Sequence, residues 1–137
     1  MNYKNSKFYV ENISIGKLTR SFQTPFYCYS KSRLSQNIKT FNKNFEKTKP
    51  LICFSVKSNS NSKLLKIIKD NGLGADVVSI GELQKVLKVG FNPNKIVFSG
   101  VGKTISELDL AIKKRILLIN VESESELFLI NQIAKLK

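Results

Sequence analysis

One pattern recurs four times between residues 51 and 137. An apolar run of β-forming residues gives way to a few small or polar ones, and then to a segment with apolar residues at helical spacing. The runs are LICFSV, GADVV, KIVFS and ILLINV. They begin again about every 22 residues, which suits one strand, one helix and two short connections. Strands of this apolar kind belong in a parallel sheet covered by helices. Four consecutive strand–helix units therefore predict an α/β fold, either a doubly wound sheet or a (β/α)8 barrel.

The helical segments carry their own start and stop signals. NSKLLKIIKDNG ends on Gly72 and SIGELQKVLKVG on Gly90, the residue type that closes helices. Ser79 with Glu82, Thr104 with Glu107, and Ser123 with Glu126 repeat the spacing of a capping box. Upstream, TPFYCYS at residues 24–30 reads as a short strand. Residues 31–47 read as a helix with Leu34, Ile38, Phe41 and Phe45 on one face, and Pro50 breaks the chain after it.

In both α/β architectures the working face lies at the C-terminal ends of the parallel strands. Here the strands end in VKSN, DVVS, FSG and NVES, which gathers Lys57, Asp76, Ser79, Ser99, Gly100, Glu122 and Ser123 at one rim. The serines and Glu122 also suit loop starts and helix caps. Lys57 is harder to explain as a surface residue, because small residues, Ser55 and Ser58, flank it. Two motifs fail on spacing. SGVGKT ends like a phosphate-binding loop, but G-x-x-x-x-G-K-[ST] needs a glycine where Val97 stands. GADVVSIG lacks the G-x-G-x-x-G of a dinucleotide site.

A net charge of +13 raises the question of nucleic acid. The lysines are scattered, with no basic block and no basic stripe interleaved with aromatics, so a nucleic-acid partner is not expected. The sequence has no histidine and no CxxC, and no metal site is expected. Cys28 and Cys53 sit in apolar stretches and read as buried free thiols of a reducing compartment. The N-terminus lacks a signal-peptide core and no apolar run approaches a membrane span, so a cytoplasmic location is expected.

Four stretches in order, ICFSVKSNSN, GADVVSIGEL, KIVFSGVGKT and INVESESEL, resemble the first half of the diaminopimelate decarboxylases. TPFYCYS fits the segment leading into the barrel of that family, and the likeness covers about residues 24–137. FSGVGKT and NVESESEL favour this family over the related ornithine and arginine decarboxylases. The resemblance implies a (β/α)8 barrel of the alanine-racemase type, with residues 1–30 leading in and 31–137 forming its first half. It implies pyridoxal 5'-phosphate as cofactor, an amino acid as substrate, a homodimer, and decarboxylation of meso-2,6-diaminopimelate to L-lysine.

Lys57 falls on the lysine of the family's Y-A-V-K-A-N motif, which holds the cofactor as a Schiff base. Phe54 replaces the tyrosine of that motif, Ser55 and Ser58 replace its alanines, and Ile80 replaces a glycine of V-V-S-G-G-E-L. A partly dry strand end would favour the neutral amine such a lysine needs. Strand alternation would put Ser55 on the same side as Lys57. Asp76 matches an acidic position of the family and is placed near the cofactor. Glu82 matches another and also suits a cap.

A complete barrel takes about 250 residues. The expectation is thus an N-terminal portion of a longer enzyme, inactive alone and prone to associate. The alternatives are an ornithine- or arginine-type decarboxylase, or a non-catalytic pyridoxal-phosphate-binding module on the same scaffold.

Overall fold

The computed structural model describes residues 2–137 and divides them into two compact units, 2–44 and 45–137. In the first, β1 (Asn2–Lys4), β2 (Lys7–Val10) and β3 (Ile13–Ser14) form an antiparallel sheet in the order β1-β2-β3. Two helices follow, α1 (Ile15–Ser21) and α2 (Lys31–Asn44). Ser14 caps α1 by accepting the Lys17 N–H. Glu11 plays a similar part at the start of α2. Its Oε1 accepts the Ser32 N–H at 2.7 Å and the Ser30 hydroxyl at 2.8 Å. Those bonds, the Ser32 N–H foremost, hold the Glu11 carboxyl below its ordinary range.

The strand predicted at residues 24–30 does not form; the segment is irregular. Tyr27 is 91% exposed there, and no strand of the unit pairs with the segment. A β-prone sequence without a neighbour to bond to has no reason to stay extended. The predicted helix at 31–47 forms as α2 and ends earlier, at Asn44.

The second unit is built from the repeated pattern. Its strands are β4 (Cys53–Ser55), β5 (Gly74–Val77), β6 (Ile96–Phe98) and β7 (Leu118–Ile119). All neighbouring pairs are parallel and the order is β4-β5-β6-β7. The helices are α3 (Ser62–Asp70), α4 (Ile80–Val89), α5 (Ile105–Lys113) and α6 (Glu124–Lys135). A strand order that never reverses separates this sheet from a doubly wound one.

Strand alternation divides the sheet into two unlike faces. Val56, Ala75, Val77, Ile96 and Phe98 are fully buried and face the helices. The helices answer with pairs three residues apart: Leu65 and Ile68 on α3, Leu83 and Val86 on α4, Leu108 and Ala111 on α5. Burying each large aliphatic side chain contributes roughly 1.5–3 kcal/mol. The other face carries Cys53, Ser55, Asp76 and Val97, all half-buried, and Leu118, which is 50% exposed. Both cysteines are free and half-buried rather than buried.

Two glycines explain where this pattern turns. Gly90 closes α4 in the left-handed conformation, with φ 90°. Gly74 starts β5 in close quarters: a Cβ there would run into the Lys95 carbonyl oxygen and lie 2.7 Å from Cys53 Sγ. No helix among the described residues is long and apolar enough to cross a membrane.

Candidate active site

The rim at the C-terminal ends of β4 to β7 begins with an abrupt change of backbone. β4 stops at Ser55 and the chain enters a single 3-10 turn, Val56–Ser58. The Ser58 hydroxyl donates to the Ser55 carbonyl at 2.7 Å, and the Asn59 N–H donates to the Val56 carbonyl at 3.1 Å. Asn59 Oδ1 then accepts the Asn61 N–H at 3.0 Å, and Asn61 Oδ1 caps α3 through the Lys63 N–H at 2.9 Å. The polar stretch after Lys57 is therefore the hardware of a turn and a helix start.

Val56 is buried and anchors the turn, while Lys57 is exposed. Among the described residues, no hydrogen bond or ion pair engages the Lys57 amine. The dry strand end expected for this lysine is not what the structure has. The chain leaves the strand before reaching Lys57, and the unit lays helices over only one face of the sheet. The same turn cancels the alternation argument that put Ser55 and Lys57 side by side.

On the open face, Ser55, Asp76, Val97 and Leu118 form one row across the four strands. Beyond that row the Ser99 hydroxyl donates to Asp76 Oδ1 at 2.6 Å, and Asn120 Nδ2 donates to Ser99 Oγ at 2.9 Å. The direction is fixed by chemistry: the amide hydrogen of Asn120 occupies the acceptor side of Ser99, so the hydroxyl proton points at the carboxylate. Cys53 lies one step earlier on this face. Burial, and after it the charge of Asp76, pushes its thiol up.

The buried lysine of the rim is Lys103. Its side chain is 1% exposed and that of Glu126 8%. Lys103 Nζ donates to the Asn120 carbonyl at 2.6 Å and to both Glu126 oxygens at 3.1 and 3.2 Å. It also lies 5.8 Å from the centre of the Phe98 ring. Burial by itself would raise the Glu126 carboxyl, but the Glu122 N–H and the Lys103 ammonium outweigh it and hold the group below its ordinary range. Ser79, Ser123 and Glu82 act as caps. Ser79 and Ser123 accept the N–H groups of Glu82 and Glu126, and Glu82 Oε2 accepts the Val78 N–H at 2.9 Å.

The family model described as "Pyridoxal-dependent decarboxylase, pyridoxal binding domain" matches residues 31–136. The chain belongs to this family. Diaminopimelate decarboxylase of Aquifex aeolicus is 40% identical over 134 residues, 98% of this chain and 31% of that protein. The Haemophilus influenzae enzyme of the same name is 46% identical over 132 residues, 96% of this chain and 32% of that protein. Among solved structures, the diaminopimelate decarboxylase of M. jannaschii in complex with L-lysine superposes with a TM-score of 0.94. It is 31% identical, over 98% of this chain and 32% of that one. The chain thus spans about a third of the length of the relatives it matches.

Within this pyridoxal-dependent decarboxylase domain, Lys57 and Asp76 stand on adjacent strand ends of one rim, with Ser99 bonded to Asp76. Sequence reasoning missed Lys103 and Asn120 as members of the rim network and read Glu126 as a cap alone. The signal for Lys103 was present in GVGKT. It pointed to a phosphate loop, and no local pattern ties that lysine to a glutamate in the next unit.

Proposed function

We propose that Lys57 is the residue through which this chain holds pyridoxal 5'-phosphate. We further propose that the protein of which these residues are part converts meso-2,6-diaminopimelate to L-lysine. The observation that carries the reading is an unengaged amine on a fixed turn, at the rim where the half-buried polar face ends. The residues present fit such a group. The amine is accessible to an aldehyde, the neighbouring side chains Ser55 and Ser58 are small, and the turn is pinned by the buried Val56. When bound, the cofactor supplies an electron sink for the bond that breaks at the substrate's α-carbon. Lys57 provides the attachment point. Asp76, oriented by Ser99, provides a fixed negative charge on the adjacent strand.

On this reading the four parallel strands are the first half of a (β/α)8 barrel of the alanine-racemase type. Residues 1–30 lead into it, the working protein is a cytoplasmic homodimer, and its substrate is a free amino acid. Relatives at 40–46% identity that bear the diaminopimelate decarboxylase name favour that substrate. The structurally similar arginine decarboxylase of a Chlorella virus is 25% identical.

The test is to add pyridoxal phosphate to the chain, reduce with borohydride and map the modified lysine by mass spectrometry. Label on Lys57 is expected; label concentrated on another lysine, or none, overturns the assignment. Release of carbon dioxide from diaminopimelate, set against ornithine and arginine, tests the substrate in a protein of the relatives' length that contains these residues.

A further inference from the structure

We propose that Lys103 and Glu126 are positioning residues for the Asp76 carboxylate, acting through Asn120 and Ser99. The inference rests on the reading of Asp76 as a ligand-facing group, and the observation behind it is a continuous line of hydrogen bonds. From the buried end it runs Glu126 to Lys103, Lys103 to the Asn120 carbonyl, the Asn120 side chain to Ser99, and Ser99 to Asp76.

Asn120 is the hinge of the line. It is exposed and follows directly on a strand of two residues, so little else in the fold restrains it. Its N–H extends the ladder to the Phe98 carbonyl at 2.9 Å. Its carbonyl is held at 2.6 Å by an ammonium that two carboxylate oxygens fix in place. Glu126 Oε2 also accepts the Glu122 N–H at 2.8 Å, so the ion pair grips the backbone on both sides of Val121. Buried charge-assisted bonds of this kind are strong and directional. A pair serving stability alone could be exchanged for apolar residues of similar size with no effect on its neighbours. This one is aimed at a carbonyl whose own side chain orients Ser99.

The experiment is NMR on the chain itself, with two variants. In K103M/E126L both charges leave together, so neither is stranded. The chain should keep its circular dichroism. The side-chain amide of Asn120 should lose its distinct shifts and exchange with water roughly tenfold faster, the effect of one ordinary hydrogen bond lost. In S99A, a change outside the core, the Lys103 ammonium resonance should move, because coupling between two sites is reciprocal. S99T should restore it. A folded double variant with unchanged Asn120 signals overturns the proposal, as does an S99A chain in which the Lys103 signal stays where it was. If the double variant does not fold, S99A alone decides. Borohydride labelling of Lys57 does not depend on these signals, so failure here and failure of the cofactor assignment are separable.

Discussion

Lys57 and Lys103 each follow closely on the end of a parallel strand, yet one amine meets solvent and the other meets three acceptor atoms. Their replacement should therefore have very unequal consequences for stability. K103M leaves the Glu126 carboxylate buried beside an apolar chain, with the Glu122 N–H as its remaining strong donor. Stranding a buried charge costs about 3–5 kcal/mol, and urea unfolding of K103M should show a loss of that size. K57M removes an exposed group with no partner and should stay within about 0.5 kcal/mol of the unaltered chain. Equal losses in the two variants would show that the buried ion pair is misassigned. What separates the two lysines physically is a glutamate in the following unit, a partner that no window around either residue contains.

The helices and their caps obey shorter-range rules. Thr104 and Glu107 form a complete capping box on α5, and Glu107 Oε1 also accepts the Ile80 N–H at 2.9 Å, at the start of α4. One carboxylate thus serves two helix starts. The Thr104 N–H above all, with lesser help from the Thr104 hydroxyl and the Ile80 N–H, holds Glu107 below its ordinary value of 4.5. Glu126 is lowered as well, against the effect of its burial. A carboxyl depressed in the folded state stabilises fully above its unfolded value, and that stabilisation is lost as pH falls through the folded value. Stability should therefore fall on acidification below about pH 4.5. E107Q should cost about 1 kcal/mol at neutral pH and flatten the acid slope, which denaturant titrations from neutral to acid pH would register.

These helices were legible beforehand because cap residues and three-to-four spacing are written within a dozen neighbours. The strands were legible in position but not in length. Of the run at 116–121 only Leu118–Ile119 is a strand, and residues 24–30 form none, since a strand is completed by a partner elsewhere in the chain. The antiparallel sheet of β1 to β3 had no anticipating pattern, its strands being too short to show alternation.

Over the whole molecule, charge and apolar surface oppose each other. Within the second unit, exposed apolar side chains concentrate in the last strand–helix segment, among them Leu117, Leu118, Val121, Leu127 and Phe128. The net charge of +13 keeps copies of the chain apart where salt is low. Raising ionic strength from roughly 0.01 to 1 M shortens the screening length from about 30 to 3 Å. Self-association should then increase, and sedimentation velocity should show the increase weakened in L118K/F128E. Association that weakens as salt rises would point to charge pairing as its cause.

Three side-chain clasps between successive helical units share one direction. Lys85 of α4 reaches Ser60 ahead of α3, Glu107 of α5 reaches Ile80 at the start of α4, and Glu126 of α6 reaches Lys103 ahead of α5. Each fastening looks back toward polypeptide already made. A chain leaving the ribosome can accordingly fasten each of these helices to the unit before it as soon as the helix has formed, so assembly in the order of translation is open to it.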